Sequence, residues 1–178
     1  MEEKAAPVED TSAQEGKNEI CDPMPAKVDI TVTAPVEGIL TSITEMNDPV
    51  FSAGSLGKGV AIFPEKGVVT APDDCEVSVL YETGHAIGLK LKSGLEMLIH
   101  IGINTVELKG KYFKKHVEEG AVLEKGSEIV SFDIEGIKNA GYDPTVAVIV
   151  TNSDAYQAIA KAEEKTVKQG SEILFVQR

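Results

Sequence analysis

The sequence has no tryptophan, few aromatic residues (5%), two cysteines and three histidines. Each scarcity removes a class of function. Cys21 and Cys75 are too few for a disulfide scaffold and have no CxxC neighbour, so both read as thiols of a reducing compartment. His85, His100 and His116 form no HExxH or HxH pattern and no Cys/His cluster, so the chain offers no resident metal site of its own. No P-loop, GxGxxG or GxSxG is present, and the glycine-rich stretch 54–59 lacks phosphate-loop spacing. Cations are also scarce: 17 Lys and Arg against 29 Asp and Glu give a net charge of −12. That argues against nucleic acid and anionic lipid, which need Lys and Arg to replace counterions. It suits a partner with a positive surface. No apolar run approaches the ~20 residues of a membrane span, and the acidic N-terminus is no secretory signal. The expectation is a soluble, cytoplasmic protein with no cofactor, no nucleic-acid partner and no membrane insertion.

What is present is β-branched. At 178 residues the chain suits one domain with a sizeable core. Residues 1–27 lack periodicity and are rich in Glu, Ala, Pro and Ser, which reads as a disordered tail or interdomain linker. Residues 28–178 read as a single domain. Nine short runs separated by Gly, Pro and Asp stand out: VDITVTA, GILTSI, GVAIFP, GVVTAP, CEVSVLY, AIGLKL, EMLIHIGI, EIVSFD and TVAVIV. They predict an all-β fold, an antiparallel sandwich or barrel. A helical turn is expected over 134–140 and a short helix over 154–165, capped by Ser153. Thr33-Ala34-Pro35 leads into one strand and Thr70-Ala71-Pro72 into another, as an internal duplication would leave them. His116 lies among turn glycines and reads as exposed or structural, and Tyr112 and Phe113 as packing.

His100 interrupts an apolar strand, and His85 precedes a second one across a turn near Ser93 and Gly94. With Lys92-Ser93 as a two-residue loop the two histidines face each other; with Ser93-Gly94 they are diagonal neighbours on one face. The apolar alternation favours neither. Pairing Ile87, Leu89 and Leu91 with Met97, Ile99 and Ile101 needs a three-residue loop, which would put the histidines on opposite faces unless a bulge at Gly84 or Gly88 intervenes. The register stays open.

The block GHAIGLKLKSGLEMLIHIGINTVELKG, with TAPVEGIL, DPVF, GKGVAI, VVTAP, HVEEG, EKG and FD in order, resembles the enzyme IIA domain, glucose class, of the bacterial phosphoenolpyruvate:sugar phosphotransferase system. The likeness covers most of residues 32–178. It implies a β-sandwich with a few short helices. It implies that His100 accepts a phosphoryl group on Nε2 from the carrier protein HPr and passes it to a IIB domain during sugar uptake. His85 would bind the phosphoryl oxygens, and Thr83 would hold the tautomer of His85. The partner surface would be an apolar ring of Val50, Phe51, Leu56, Tyr81, Leu98 and Val106, with Asp48 meeting an arginine on HPr. Asn104 stands where the family commonly has a second acid, and Lys58 where many relatives carry one. The resemblance also implies an alternative: a regulatory module that inhibits permeases or a glycerol kinase when unphosphorylated, in one case through zinc held by His85, His100 and a partner carboxylate. The sugar itself is not encoded here, since specificity lies in the membrane domain.

Overall fold

The structure, a computed structural model, describes residues 21–163 and 165–178. Among them are fourteen strands: β1 (Ile30–Thr33), β2 (Gly38–Ser42), β3 (Lys58–Pro64), β4 (Val68–Thr70), β5 (Cys75–Leu80), β6 (Ala86–Leu91), β7 (Glu96–Ile101), β8 (Phe113–Lys115), β9 (Val122–Leu123), β10 (Glu128–Phe132), β11 (Val146–Val150), β12 (Ala158–Lys161), β13 (Thr166–Val167) and β14 (Glu172–Gln177). The nine runs picked out by composition are β1 to β7, β10 and β11. All named strands pair antiparallel, in an eight-stranded sheet ordered β13-β2-β3-β11-β7-β6-β5-β9 and two three-stranded sheets, β1-β14-β12 and β4-β10-β8. The fold is an all-β sandwich, and its main core draws side chains from all three sheets.

The strand order is its own mirror about the β11–β7 pair. β1, β2 and β3 with β11 to β14 form one half; β4 to β10 form the other, inserted into it. The two Thr-Ala-Pro turns lie where the halves meet. The Thr33 hydroxyl donates to the Pro72 carbonyl at 2.7 Å, and the Thr70 hydroxyl to the Pro35 carbonyl at 3.4 Å. Each turn also docks on a Gly-Ser-Glu turn of its own half: Ala34 N–H donates to Ser171 O, and Ala71 N–H to Ser127 O. Thr33 then pairs with Glu172 and Thr70 with Glu128, each beside a register shift. The duplication expected from two tripeptides is thus the plan of the whole molecule.

Residues 134–140 contain the expected turn of helix, Ile134–Asn139, capped by the Asp133 carboxylate on Gly136 N–H. The helix expected over 154–165 is absent. A 3-10 turn at Ser153–Ala155 is followed by β12, where Ile159 and Ala160 pair with Val176 and Phe175. The helix-forming composition is overridden because Ile159 and Ala160 are buried against β14. Most of the expected tail, residues 1–20, lies outside the described residues, but Cys21 and Asp22 belong to the folded unit. Asp22 Oδ2 accepts from Lys58 Nζ at 2.6 Å and from Ile159 N–H at 2.8 Å, and Asp22 N–H donates to Ile159 O at 2.8 Å. The folded unit therefore includes residues ahead of the composition change at Val28.

Candidate active site

The hairpin β6–β7 adopts the three-residue loop: Ala86 pairs with His100, Ile87 with Ile99 and Leu89 with Met97. Burial of the odd-numbered apolar residues decides the register, since a slip of one would turn all of them outward. His100 therefore leaves the main core and projects from the opposite sheet face. That face is built small around it, with Ala86 beside it on β6 and Ala147 on β11. A second apolar cluster, Ile43, Met46, Phe51, Ala61, Ile103, Ala147 and Ile149 with Leu98, packs on the same face.

His85 reaches this face although it sits one residue before Ala86. The pleat ends at a turn: Gly84 has φ +79° and donates to Tyr81 O at 2.8 Å. A side chain at Gly84 would be strained at that φ, and His85 is released from strand alternation just after it. The rings of His85 and His100 lie 5.1 Å apart at 83°. Phe51 flanks His100 at 4.9 Å and Tyr81 flanks His85 at 5.2 Å. The sequence left open whether the two imidazoles share a site, and the structure brings them together by a route neither two-residue loop describes.

Both rings are anchored through Nδ1. His100 Nδ1–H donates to the Gly102 carbonyl at 2.8 Å, and a carbonyl can only accept, so the proton is on Nδ1 and the Nε2 lone pair is free. His85 Nδ1 lies 2.6 Å from Thr83 Oγ1. Burial pushes the His85 imidazole down to about 4, and the adjacent His100 adds to the effect. Burial also lowers His100, opposed by the Gly102 carbonyl and the Asp48 carboxylate. Both rings are neutral at pH 7.

The expected rim falls into parts. Val50, Leu56, Tyr81 and Val106 are 39–50% exposed. Leu98 is half-buried, and Phe51 is buried, a wall of the site rather than a docking contact. Asp48 accepts from Val50 N–H at 2.9 Å and caps the one-turn helix Pro49–Ser52, which carries Phe51 to His100. Asn104 is exposed at φ 60°, a left-handed conformation that asparagine tolerates better than most residues. Its side chain makes no cap bond to the following 3-10 turn Thr105–Leu108. Lys58, standing where many relatives carry an acid, is paired with Asp22 of this chain, so its charge is met internally. His116 is exposed and its Nε2 lies 2.6 Å from Ser131 Oγ, in the other sheet system. Tyr112 covers Gly136, and Phe113 stacks on Phe132 at 6.5 Å.

Three residues of the site escaped the reading of the sequence: Gly102, Ala86 and Ala147. The signal for the alanines was a small residue inside otherwise bulky strands. For Gly102 it was a glycine two positions after a histidine.

Residues 30–156 match the model of the phosphoenolpyruvate-dependent sugar phosphotransferase system, EIIA 1 family. The chain belongs to this family. It is 41% identical over 141 residues to the glucose-specific EIIA component of Bacillus anthracis, covering 79% of this chain and 86% of that protein. It is 47% identical over 125 residues to the beta-glucoside-specific EIIBCA component of Bacillus subtilis, covering 70% of this chain and 20% of that one. The chain thus spans most of a free-standing EIIA relative and about a fifth of a fused one. Glucose permease IIA from Mycoplasma capricolum superposes with a TM-score of 0.74 at 29% identity, over 82% of this chain and 94% of that one. As an EIIA component the chain is a phosphotransferase that carries phosphohistidine, receiving the group from HPr and passing it to a IIB domain. No helix among the described residues is long and apolar enough to cross a membrane.

Proposed function

We propose that His100 is the residue that carries the phosphoryl group, with His85 and Thr83 completing the site. The observation that supports it is the bond from His100 Nδ1–H to Gly102 O, which leaves Nε2 as the nucleophilic nitrogen. The Nε2 lone pair attacks phosphorus in line as the P–N bond to the carrier's imidazole breaks, and that bond's electron pair stays on the carrier's nitrogen. His100 gains positive character as the bond forms, and Gly102 O stabilises it through the shortening Nδ1–H bond. A Thr83 hydroxyl donating to His85 Nδ1 places the His85 proton on Nε2, where it donates to the phosphoryl oxygens. Transfer onward reverses the step toward the IIB acceptor, a cysteine or in some classes a histidine.

Val50, Leu56, Tyr81, Leu98 and Val106 would form the apolar docking rim, with Asp48 and Asn104 at its polar edge. The phosphotransfer domain would be residues 28–178 together with Cys21 and Asp22, working in the cytoplasm with the remainder of 1–27 as tail or linker. The relatives make glucose or a β-glucoside the first sugars to try. The test is labelling by phosphoenolpyruvate, enzyme I and HPr. His100→Ala should abolish an acid-labile, base-stable phosphate, and His85→Ala should accept phosphate yet pass it on poorly. Normal labelling of His100→Ala would sink the assignment.

A second reading, regulation, is favoured by the exposed Val50, Tyr81 and Val106 beside an uncharged histidine pair. A permease or glycerol kinase docked there, with or without a zinc ion completed by its own carboxylate, would be displaced by a group adding roughly −1.5 to −2 charge. Co-precipitation with each partner in both phosphorylation states decides it.

A further inference from the structure

The peptide bond between Gly102 and Ile103 uses both of its polar groups. Its carbonyl accepts His100 Nδ1–H at 2.8 Å, and its N–H donates to the Asp143 main-chain carbonyl at 2.9 Å. A peptide whose N–H is engaged presents a more negative oxygen, so the two bonds reinforce each other. The Asp143 backbone is fixed in turn. Pro144 restricts it to extended conformations, and Asp143 Oδ1 accepts from Thr145 N–H at 2.9 Å and from the Thr145 hydroxyl at 2.5 Å. Thr145 is buried, so its N–H and hydroxyl depend on that carboxylate oxygen rather than on water. Its carbonyl accepts Gly102 N–H at 2.8 Å, and the Tyr142 hydroxyl donates to the Glu107 carboxylate at 3.1 Å. Three residues ahead of β11 thus grip the loop that follows β7.

The grip matters because the ring has two tautomers. With the proton on Nε2 there is no nucleophile there, and Gly102 O would face a lone pair on Nδ1. We propose that Asp143 is a positioning residue for phosphoryl transfer: through Ile103 N–H and Gly102 O it holds His100 in the Nδ1–H tautomer. This rests on His100 being the acceptor. It adds a residue that touches neither the reacting atoms nor the rim.

The test uses the full chain with Asp143→Ala and Asp143→Asn. Imidazole 15N NMR reads the tautomer without any phosphate, and rapid-quench labelling from phospho-HPr reads the transfer step. Asp143→Ala should raise the Nε2–H population of His100 and slow transfer about ten- to a hundredfold, the scale of a misplaced reacting group. The KM for phospho-HPr should stay within about twofold, because the docking rim is untouched. Asp143→Asn keeps an oxygen that can accept from Thr145 and should restore both tautomer and rate. An unchanged tautomer in Asp143→Ala overturns the inference, as does a rate loss matched by a rise in KM. Should Asp143→Ala fail to fold, Thr145→Val removes one of the two carboxylate bonds and must move the tautomer in the same direction; no movement overturns the inference equally. If His100→Ala still labels, the acceptor assignment has failed instead, and the two failures are told apart.

Discussion

His85 and His100 lie with ring centroids 5.1 Å apart although the β6–β7 register assigns their positions to opposite faces of the pleat. The turn at Gly84 resolves the contradiction by ending the strand one residue early. The site is therefore made of one residue on a rigid strand and one on a turn pinned to it. His85 O accepts Ile101 N–H at 2.7 Å and keeps the turn in place.

Gly102→Ala is the sharpest test of that construction. A methyl there would meet Thr105 Cγ2 at 2.5 Å and Asp143 O at 2.9 Å, at φ +81°. Backbone strain and overpacking together should cost about 2–4 kcal/mol. Urea unfolding measures it, and a loss below about 1 kcal/mol would mean the loop yields freely.

Ala147→Val tests the small pocket beside His100. Ala147 is buried and pairs directly with the histidine, so two added methyls should displace the ring or Phe51. Overpacking of about 1–3 kcal/mol is expected, with a larger proportional loss of transfer rate than of stability. A variant that transfers normally would show that the ring has room to spare.

Stability should fall on acidification through the histidines. The His85 pKa is depressed in the folded state to about 4 from 6.5, so between those values the unfolded chain binds the extra proton. Stability rises with pH across that window and is fully present above it. The depression is worth roughly 3 kcal/mol at most, and His100 adds in the same direction. Urea midpoints at pH 7 and pH 4.5 for the wild type and for His85→Gln isolate the effect. The variant should lose less stability than the wild type, and an equal loss would refute it.

Asp22→Ala should destabilise by about 1–2 kcal/mol, since Ile159 N–H loses its carboxylate acceptor and Lys58 its partner. A chain beginning at Val28 should lose at least as much. Stability equal to that of the full chain would place the start of the domain at Val28 after all.

Asn104→Asp should restore the missing acid without backbone strain, since aspartate also tolerates φ 60°. If an arginine of HPr reaches this rim, affinity should rise about three- to tenfold with a steeper salt dependence. No change would exclude Asn104 from the contact.

Much of this was legible in the sequence, for identifiable reasons. Alternating Ile, Val and Leu marked nine of the fourteen strands, though not the six-residue β14, because burial on one face leaves that period in the text. Strands β9 and β13 have two residues each, too short to leave a period. β12 was hidden because alanine and lysine spell helix until Ile159 finds β14. At the site the histidines were visible through their setting, whereas Ala86, Ala147 and Asp143 were not. The alanines matter through His100, their cross-strand partner, and Asp143 through a bond to the loop after β7; a small residue in a bulky strand was the alanines' only local mark. Asp22 lay in acidic, proline-containing text and was read with it, yet its carboxylate is tied to β3 and β12.

The nested duplication sets an order of assembly. Every strand pairing within the half that holds both histidines falls between Val68 and Phe132, so that half is complete once a contiguous stretch has been synthesised. The other half pairs Ile30 with Val176 and waits until that residue has been added. On the ribosome, the segment bearing the two imidazoles can close its own pairings while β1 still lacks a partner and the β2–β3 hairpin still waits for β11 and β13. Loop closure over that distance makes the outer half the slower one to form.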